Sequence, residues 1–393
     1  DAPAIRFKGF SDAWEQRKAI DIADYSKGNG YSKGDLADAG TPIILYGRLY
    51  TKYQFAISEV DTFAVPRNGA VYSQGNEVIV PASGETAEDI ARASAVEKSG
   101  VLLGGDLNIL RPFDFMNPLF LALAISNGEP QKELAKKAQG KSVVHIHNTD
   151  IQEVTIAYPS KTEQDRIVSV FRQLDNLITL HQRKFEKLTN VKKSMLEKMF
   201  PQNGSSYPEI RFKGFTDPWE QRKFGEITSK YEDPVPTPHD GYYRLGIRSH
   251  AKGTFHSYVA KGQELETAQM HRVAAGNFIV NITFGWEHAV AITDKNDAGK
   301  LVSHRFPQFS FAEGMVPEFF RYVIVDEKFR HHLWLASPGG AGRNRVLKLD
   351  EMLNYLMRFP SRDEQIKIAE FFRHLDNLIT LHQRELEKLQ NIK

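Results

Sequence analysis

The sequence predicts an α+β protein of two globular domains separated by two long helices that form an antiparallel coiled coil, with a pseudo-twofold internal repeat. Three observations predict this architecture. Residues 159–192 and 360–393 are near copies of each other, and residues 3–18 recur as residues 208–223. The sequences between these shared ends, about 19–158 and 224–359, share almost nothing visible. The chain therefore repeats the same end segments around two different domains. This arrangement is what a protein needs to hold two different recognition modules in one fixed geometry.

The repeats divide the chain into four parts. We predict, in order, a first globular domain at 1–158, a first long helix at 159–201, a second globular domain at 202–359 and a second long helix at 360–393. The first helical pattern continues to about Phe200, whereas its copy stops at Lys393, so we expect the second helix to be truncated.

Both long segments carry helix signals. Ser160 with Glu163, and Ser361 with Glu364, fit a capping box after a proline. Apolar residues then recur at heptad spacing, which predicts a coiled-coil seam and a surface for partner docking. The predicted seam residues are Phe171, Leu174, Ile178, His181, Phe185, Leu188, Phe372, Leu375, Ile379, His382, Leu386 and Leu389.

His181 and His382 occupy equivalent seam positions. They could form a metal or pH-sensitive site, or a polar layer that fixes the register of the helices. We favour the polar layer, because a single polar seam residue commonly has that role.

Each globular domain opens with the sequence Arg-Phe-Lys-Gly-Phe. We expect a short helical start after it, capped by Asp12 or Asp217, with Trp14 or Trp219 anchoring the start on the core. Runs of β-branched and aromatic residues then predict strands near 42–46, 76–80, 101–103, 242–248, 277–282 and 288–293. Helical stretches are predicted at 117–138 and 316–335, each followed by a glycine-containing polar loop.

Composition excludes several functions. The 393 residues include no cysteine, so disulfides, thiolate metal sites and thiol nucleophiles are excluded. We find no signal-peptide pattern and no apolar run of membrane-span length, and we expect a cytoplasmic protein without membrane contact. The formal net charge is only +2. If the chain binds DNA, basic residues must cluster on one face or partners must neutralise the phosphates.

No catalytic constellation is visible in the sequence. The metalloprotease and hydrolase motifs His-Glu-x-x-His and Gly-x-Ser-x-Gly are absent, and the pair His145 and His147 has no evident third metal ligand. The sequence therefore favours a binding protein without catalytic residues and without a bound metal.

Candidate DNA-binding residues are basic, amide, hydroxyl and aromatic side chains in strand-like segments and in the two glycine loops. Arginine and lysine can donate to guanine, and asparagine or glutamine can pair with adenine. The same residues could instead form the polar faces of strands and ordinary surface turns. The candidates are Lys27, Asn29, Tyr31, Arg48, Tyr50, Lys52, Gln139, Lys141, Ser142, Tyr243, Arg244, Arg248, His250, Lys252, Arg343, Asn344 and Arg345.

The layout resembles the specificity (S) subunits of type I restriction–modification systems, the HsdS family. The resemblance covers essentially the whole chain. It is carried by the repeated Pro-Ser-x-x-Glu-Gln-x-x-Ile opening at 159–167 and 360–368, the heptads that follow it, and the repeated Trp-Glu-Gln-Arg-Lys start.

This resemblance implies two target-recognition domains, each reading one half of an asymmetric, interrupted site in double-stranded DNA. It implies that the long helices set the spacing and dock two methylation (M) subunits, and that restriction (R) subunits can join. S-adenosylmethionine would bind in the M subunits, and ATP and Mg in the R subunits. This chain would bind no cofactor and would be non-catalytic.

Two other functions stay open. The chain could be a coiled-coil scaffold that binds proteins and no DNA, which salt-sensitive DNA affinity would exclude. It could also be an enzyme with an unrecognised site in one domain. The divergence between the two domains argues against the enzyme, because a duplicated active site would be expected to repeat.

Overall fold

The computed structural model describes residues 3, 5–140, 143–264, 269–339 and 345–393. The chain divides into two compact units, residues 1–177 with Lys393, and residues 178–392. Both units mix helices and sheets.

The first unit contains fourteen strands and five short helices among its described residues. The strands are β1 Glu15–Lys18, β2 Ala23–Lys27, β3 Leu36–Ala37, β4 Thr41–Ile44, β5 Ala56–Ile57, β6 Phe63–Ala64, β7 Tyr72–Gln74, β8 Glu77–Pro81, β9 Ser83–Gly84, β10 Ser94–Val96, β11 Ser99–Leu103, β12 Leu107–Pro112, β13 Val144–His145 and β14 Thr155–Tyr158. The helices are α1 Arg48–Thr51, α2 Ala87–Ile90, α3 Pro118–Ile125, α4 Gly128–Lys137 and α5 Asn148–Gln152.

Two five-stranded sheets form the body of this unit, in the orders β2-β12-β8-β10-β5 and β3-β6-β4-β11-β7. Strand β8 is buried along its whole length and pairs antiparallel with β10 and β12. Helix α3 packs against this sheet through Leu119, Phe120 and Leu121. The predicted strands near 42–46, 76–80 and 101–103 are therefore confirmed.

The two long helices and the elements of the second unit make up the rest of the structure. The first long helix is α6 Lys161–Lys198, and the second unit contains eleven further strands and four further helices among its described residues. The strands are β15 Glu220–Lys223, β16 Thr228–Tyr231, β17 Pro234–Pro236, β18 Tyr242–Ile247, β19 Thr254–Val259, β20 Gln269–Arg272, β21 Phe278–Val280, β22 Val290–Ile292, β23 Leu301–Val302, β24 Gln308–Phe311 and β25 Leu356–Phe359. The helices are α7 Pro317–Val323, α8 Glu327–Leu335, α9 Leu349–Leu353 and α10 Arg362–Ile392.

A four-stranded sheet, β16-β24-β21-β22, and a five-stranded sheet, β17-β20-β23-β18-β19, form the body of the second unit. Its core is rich in aromatic rings: Phe224 lies edge-on to Phe278, with 4.9 Å between the ring centroids, and Phe311 stacks on Phe320 at 4.5 Å. The strands predicted at 242–248, 277–282 and 288–293 are confirmed. Each predicted helical stretch, 117–138 and 316–335, is divided into two helices.

The predicted helical start of each globular domain is wrong. Residues 15–18 and 220–223 are strands, which pair antiparallel with β14 and β25 respectively. Long-range pairing with the strand that precedes each long helix overrides the local helical pattern. The predicted anchoring is confirmed, because Trp14 lies edge-on to Phe120 at 5.8 Å and Trp219 to Phe319 at 5.8 Å.

The two long helices run antiparallel in the second unit. His181 of α6 meets His382 of α10, with 3.1 Å between the Nδ1 atoms. Further along α6, Lys192 pairs with Asp376, which comes earlier in α10. The seam residues Phe372 and Leu375 are buried there, and Leu188 packs against the same core. In the first unit, Phe171 of α6 packs against Phe55.

Each repeat contains an equivalent buried ion pair between its first segment and its long helix. The Arg6 guanidinium donates two hydrogen bonds of 2.7 Å to Glu163, and Arg211 donates two, of 2.7 and 2.8 Å, to Glu364. Both carboxylates are almost fully buried. The bonds to these carboxylates raise the pKa of Arg6 and of Arg211. The glutamates of the predicted capping boxes thus tie the start of each repeat to its long helix.

The glutamine of the same motif makes equivalent contacts in both repeats. Gln164 donates to the carbonyl of Pro159 and accepts from the backbone N–H of Asn117. Gln365 donates to the carbonyl of Pro360 and accepts from the N–H of Val316. The glutamine of the Pro-Ser-x-x-Glu-Gln motif therefore connects the start of each long helix to the globular part of its unit.

Candidate nucleic-acid interface

In the first unit, two of the predicted DNA-binding residues, Arg48 and Lys52, form ion pairs with Asp61. Lys52 donates to Oδ2 of Asp61 at 2.6 Å, and Arg48 donates to Oδ1 at 2.7 Å and to the carbonyl of Glu59. These bonds hold the pKa of Asp61 well below its usual range. Arg48 and Lys52 thereby fasten the loop before strand β6.

Two predicted aromatic residues of this unit are committed to packing. Tyr31 is buried, its hydroxyl accepts from the N–H of Arg67, and the Arg67 guanidinium lies 5.2 Å from its ring centroid. The Tyr50 hydroxyl donates to the carbonyl of Ser83 at 2.7 Å, and burial raises its pKa. Both rings support the loops around them.

The remaining first-unit candidates are more exposed. The Asn29 side chain donates to the carbonyl of Gly69. Lys27, at the end of β2, is exposed and has no side-chain partner in the described part of the chain. Among these candidates, Lys27 is the cation free to meet a phosphate.

The first glycine loop begins with a tight turn. The N–H and carbonyl of Gln139 both bond to His145. Gly140 has φ +139°, and a Cβ atom there would lie 1.9 Å from the carbonyl oxygen of Val143. Only glycine fits this position, so Gly140 is explained by the geometry of the turn. The candidates Lys141, Ser142, Arg343 and Asn344 lie outside the described residues.

The second unit presents its candidates on a β-hairpin formed by β18 and β19. Tyr243 and Tyr258 are cross-strand partners whose rings lie 5.2 Å apart, and each is more than half exposed. The Arg248 guanidinium lies 5.3 Å over the ring of Phe255. Arginine and aromatic side chains therefore share the exposed surface of this hairpin.

The tip of this hairpin is fixed to a neighbouring 3₁₀ turn, Gly285–Glu287. The N–H of His250 donates to the carbonyl of Glu287 at 2.9 Å, and the N–H of Ala251 donates to His288. The φ angle of His250 is +62°, which lies in the left-handed region. His250 and Lys252 are exposed at this hydrogen-bonded tip.

Arg345 joins the same surface from a distant part of the sequence. Its guanidinium lies 5.8 Å from the ring centroid of Trp286 and 5.2 Å from that of Trp334. Trp334 is 44% exposed and stacks on His331. We define the aromatic–basic surface as the β18–β19 hairpin with Trp286, Trp334 and Arg345.

Sequence reasoning identified the basic residues of this surface and missed most of the aromatic ones. Phe255, Phe284, Trp286 and Trp334 were not candidates, and neither was Glu287. A cluster of aromatic residues directly after strand β21, in the segment Thr283-Phe-Gly-Trp-Glu, was the available signal. It could not be connected to Arg345 without the fold.

The long helices carry a second exposed feature. Leu180 of α6 and Leu381 of α10 occupy equivalent repeat positions, and their exposed fractions are 46% and 51%. Each leucine directly precedes a seam histidine in the sequence, and its side chain is exposed to solvent. The two side chains are therefore accessible to a partner at equivalent positions of the two long helices.

Neither a metal site nor a membrane span is found in the described part of the chain. No group of three or more metal-ligating side chains is suitably placed among those residues. No helix in the same residues is long and apolar enough to cross a membrane.

These features define a class: a protein in which a repeated helical frame holds two dissimilar α+β modules. A family model described as "Type I restriction modification DNA specificity domain" matches residues 11–190. The type I restriction enzyme MjaVIII specificity subunit of Methanocaldococcus jannaschii is 22% identical over 343 residues, which cover 83% of this chain and 78% of that protein. The putative MjaX specificity subunit of the same organism is 22% identical over 312 residues, with coverage of 75% and 69%.

A solved structure agrees with this result. The crystal structure of a type I restriction–modification S subunit from M. genitalium matches with a TM-score of 0.59 at 12% identity, over 98% of this chain and 96% of that one. The likeness shows a shared fold. Together, these comparisons show that the chain is similar over most of its length to type I restriction–modification specificity subunits. Members of this family are not known to bind a cofactor themselves.

Proposed function

We propose that this chain is the non-catalytic specificity subunit of a type I restriction–modification complex and reads an asymmetric, bipartite site in double-stranded DNA. Its domains, 1–158 and 202–359, would each read one half-site, and the helices at 159–201 and 360–393 would join them. The observation that carries the proposal is the repeated Arg–Glu and Gln–Pro frame around two modules of different sequence. Identical frames with different contents suit a protein that reads two different sequences.

The aromatic–basic surface supports DNA reading by the second module. Arg248 and Arg345 are held over aromatic rings, which orients their planar guanidinium groups. A fixed guanidinium can bind guanine or phosphate with two parallel hydrogen bonds. Because the net charge of the chain is only +2, partner subunits would supply much of the phosphate neutralisation.

The duplicated leucines support docking of two methylation subunits. Leu180 and Leu381 offer the same apolar contact at equivalent positions of the two long helices. A duplicated contact fits two copies of one partner. S-adenosylmethionine would bind in those methylation subunits, and ATP and Mg in restriction subunits that join the complex. Such a complex would act in the cytoplasm, where the chromosomal DNA lies.

DNA binding can be tested by measuring the affinity of the chain, alone and with its methylation subunits, for a randomised duplex library at several salt concentrations. We expect enrichment of one interrupted, asymmetric motif and an affinity that falls steeply with salt. A coiled-coil scaffold without DNA binding would enrich no motif. Protein association through Leu180 and Leu381 would then be the remaining function.

A further inference from the structure

An open pocket of about 460 Å³ lies beside the β18–β19 hairpin in the second unit. Phe255 and Phe284 form apolar walls, and both are more than a third exposed. Arg244, Asn281 and Glu287 supply polar groups. The pocket therefore combines aromatic walls with one acid and one base on the aromatic–basic surface.

The Phe255 wall depends on a glycine opposite it. Gly246 and Phe255 are cross-strand partners, and a Cβ atom at Gly246 would lie 2.3 Å from the Phe255 ring. The ring therefore lies against bare backbone, while Arg248 lies over it at 5.3 Å. This packing holds the wall in one position.

Glu287 is positioned as a hydrogen-bond acceptor. Its Oε2 accepts from the Ser249 hydroxyl at 2.6 Å, and its backbone carbonyl accepts from His250 at 2.9 Å. No described residue donates to its other carboxylate oxygen. The side chain is thus held by one oxygen and keeps the second for a ligand.

Arg244 and Asn281 complete the polar set. The Arg244 guanidinium has no hydrogen-bond or ion-pair partner within the described ranges. Asn281 already accepts from the N–H of Thr283 through Oδ1. Asparagine binds adenine by accepting through that oxygen and donating through its amide, so Asn281 is less suited to that pairing than a free asparagine.

We propose that this pocket reads a C·G base pair in the half-site of the second module. Glu287 accepts a hydrogen bond from the 4-amino group of cytosine, and Arg244 donates to O6 and N7 of the paired guanine. A carboxylate is the acceptor that suits cytosine N4, and arginine is the donor that suits guanine. The inference rests on the proposed function and adds the chemistry of one base pair to it.

The test uses the full chain in complex with its methylation subunits. It compares the DNA motifs that the wild-type complex and the variant complexes select. The probe is a duplex library with both half-sites randomised, and the variants are Glu287→Gln and, as a matched control, Glu313→Gln on an exposed loop of the same unit. For Glu287→Gln we expect the cytosine preference at one position to fall about tenfold and adenine to gain, because glutamine pairs with adenine N6 and N7. Glu313→Gln should select the wild-type motif.

A second variant keeps the test independent of folding. Arg244→Lys retains the charge and loses the planar donor fork, so we expect reduced preference for guanine at the same pair with little change in non-specific affinity. If Glu287→Gln and Arg244→Lys both select the wild-type motif, the base-reading role is wrong while the proposed function stands. If the wild-type complex selects no motif at all, the proposed function itself fails.

Discussion

The Nδ1 atoms of His181 and His382 lie 3.1 Å apart where the two long helices cross in the second unit. The rings meet edge-on, with 5.1 Å between their centroids. Partial burial, followed by the charges of His181 and Lys184, lowers the pKa of His382 below its ordinary 6.5. Two imidazoles at this distance can share one hydrogen bond when at least one is neutral, as the polar seam layer requires.

Acidification should therefore destabilise the second unit through His382. A lowered folded-state pKa means that the unfolded chain binds protons more readily, so stability is full above about pH 6.5 and falls as the pH drops from there toward the lower folded pKa. We expect the melting temperature to fall less between pH 7.5 and pH 5.5 in His382→Leu than in the wild type. Thermal unfolding at both pH values measures this.

The comparison needs a control because His288 contributes in the same direction. His288 is buried, donates to the carbonyl of Ile324 at 2.7 Å, and its pKa is also lowered by burial. His374→Asn, at an exposed position of α10, should keep the wild-type pH dependence. Equal pH dependence in His382→Leu and wild type would contradict the prediction.

Arg211→Ala should destabilise the second unit by about 2–3 kcal/mol, because it leaves the buried Glu364 carboxylate without its two charge-assisted bonds. Chemical denaturation followed by tryptophan fluorescence measures the change. Arg222→Ala removes an exposed pair with Glu220 and should cost less than about 0.5 kcal/mol. Similar losses in the two variants would show that burial of the Arg211 pair contributes little.

Arg345→Ala should weaken DNA binding by the complex and reduce its salt dependence by about one counterion. Arg345→Lys should restore the salt dependence but only part of the affinity, since lysine lacks the planar group that stacks on Trp286 and Trp334. Fluorescence anisotropy across a salt series measures both quantities. Lys230→Ala, which removes an exposed ion pair with Glu232, serves as the control.

Leu180→Glu and Leu381→Glu should each remove one methylation subunit from the complex, and the double variant should bind neither. Their exposed side chains contribute little to folding, so the melting temperature should stay within about 2 °C of wild type. Light scattering after size-exclusion chromatography measures the stoichiometry. Gln383→Glu, at an exposed position of α10, should assemble normally. Full assembly by the double variant would place docking elsewhere.

Sequence reasoning succeeded where local patterns and tertiary contacts agree. The heptad spacing predicted both long helices, and the β-branched run at 76–80 predicted the strand that is found at Glu77–Pro81. It failed at residues 15–18 and 220–223, where strand pairing with β14 and β25 overrides the local pattern. It also could not show that Arg48 and Lys52 share Asp61, which lies beyond any local motif.

By itself, the sequence determined the duplicated frame, because a repeat and a heptad period are properties of residue order. It could also identify the basic residues Arg248 and Arg345 as candidates. Only the tertiary structure decided which rings they contact, that Glu163 and Glu364 are buried against arginines, and that Glu287 lines a pocket. These contacts join residues distant in the chain, and their existence depends on how strands and loops pack rather than on any spacing along the sequence.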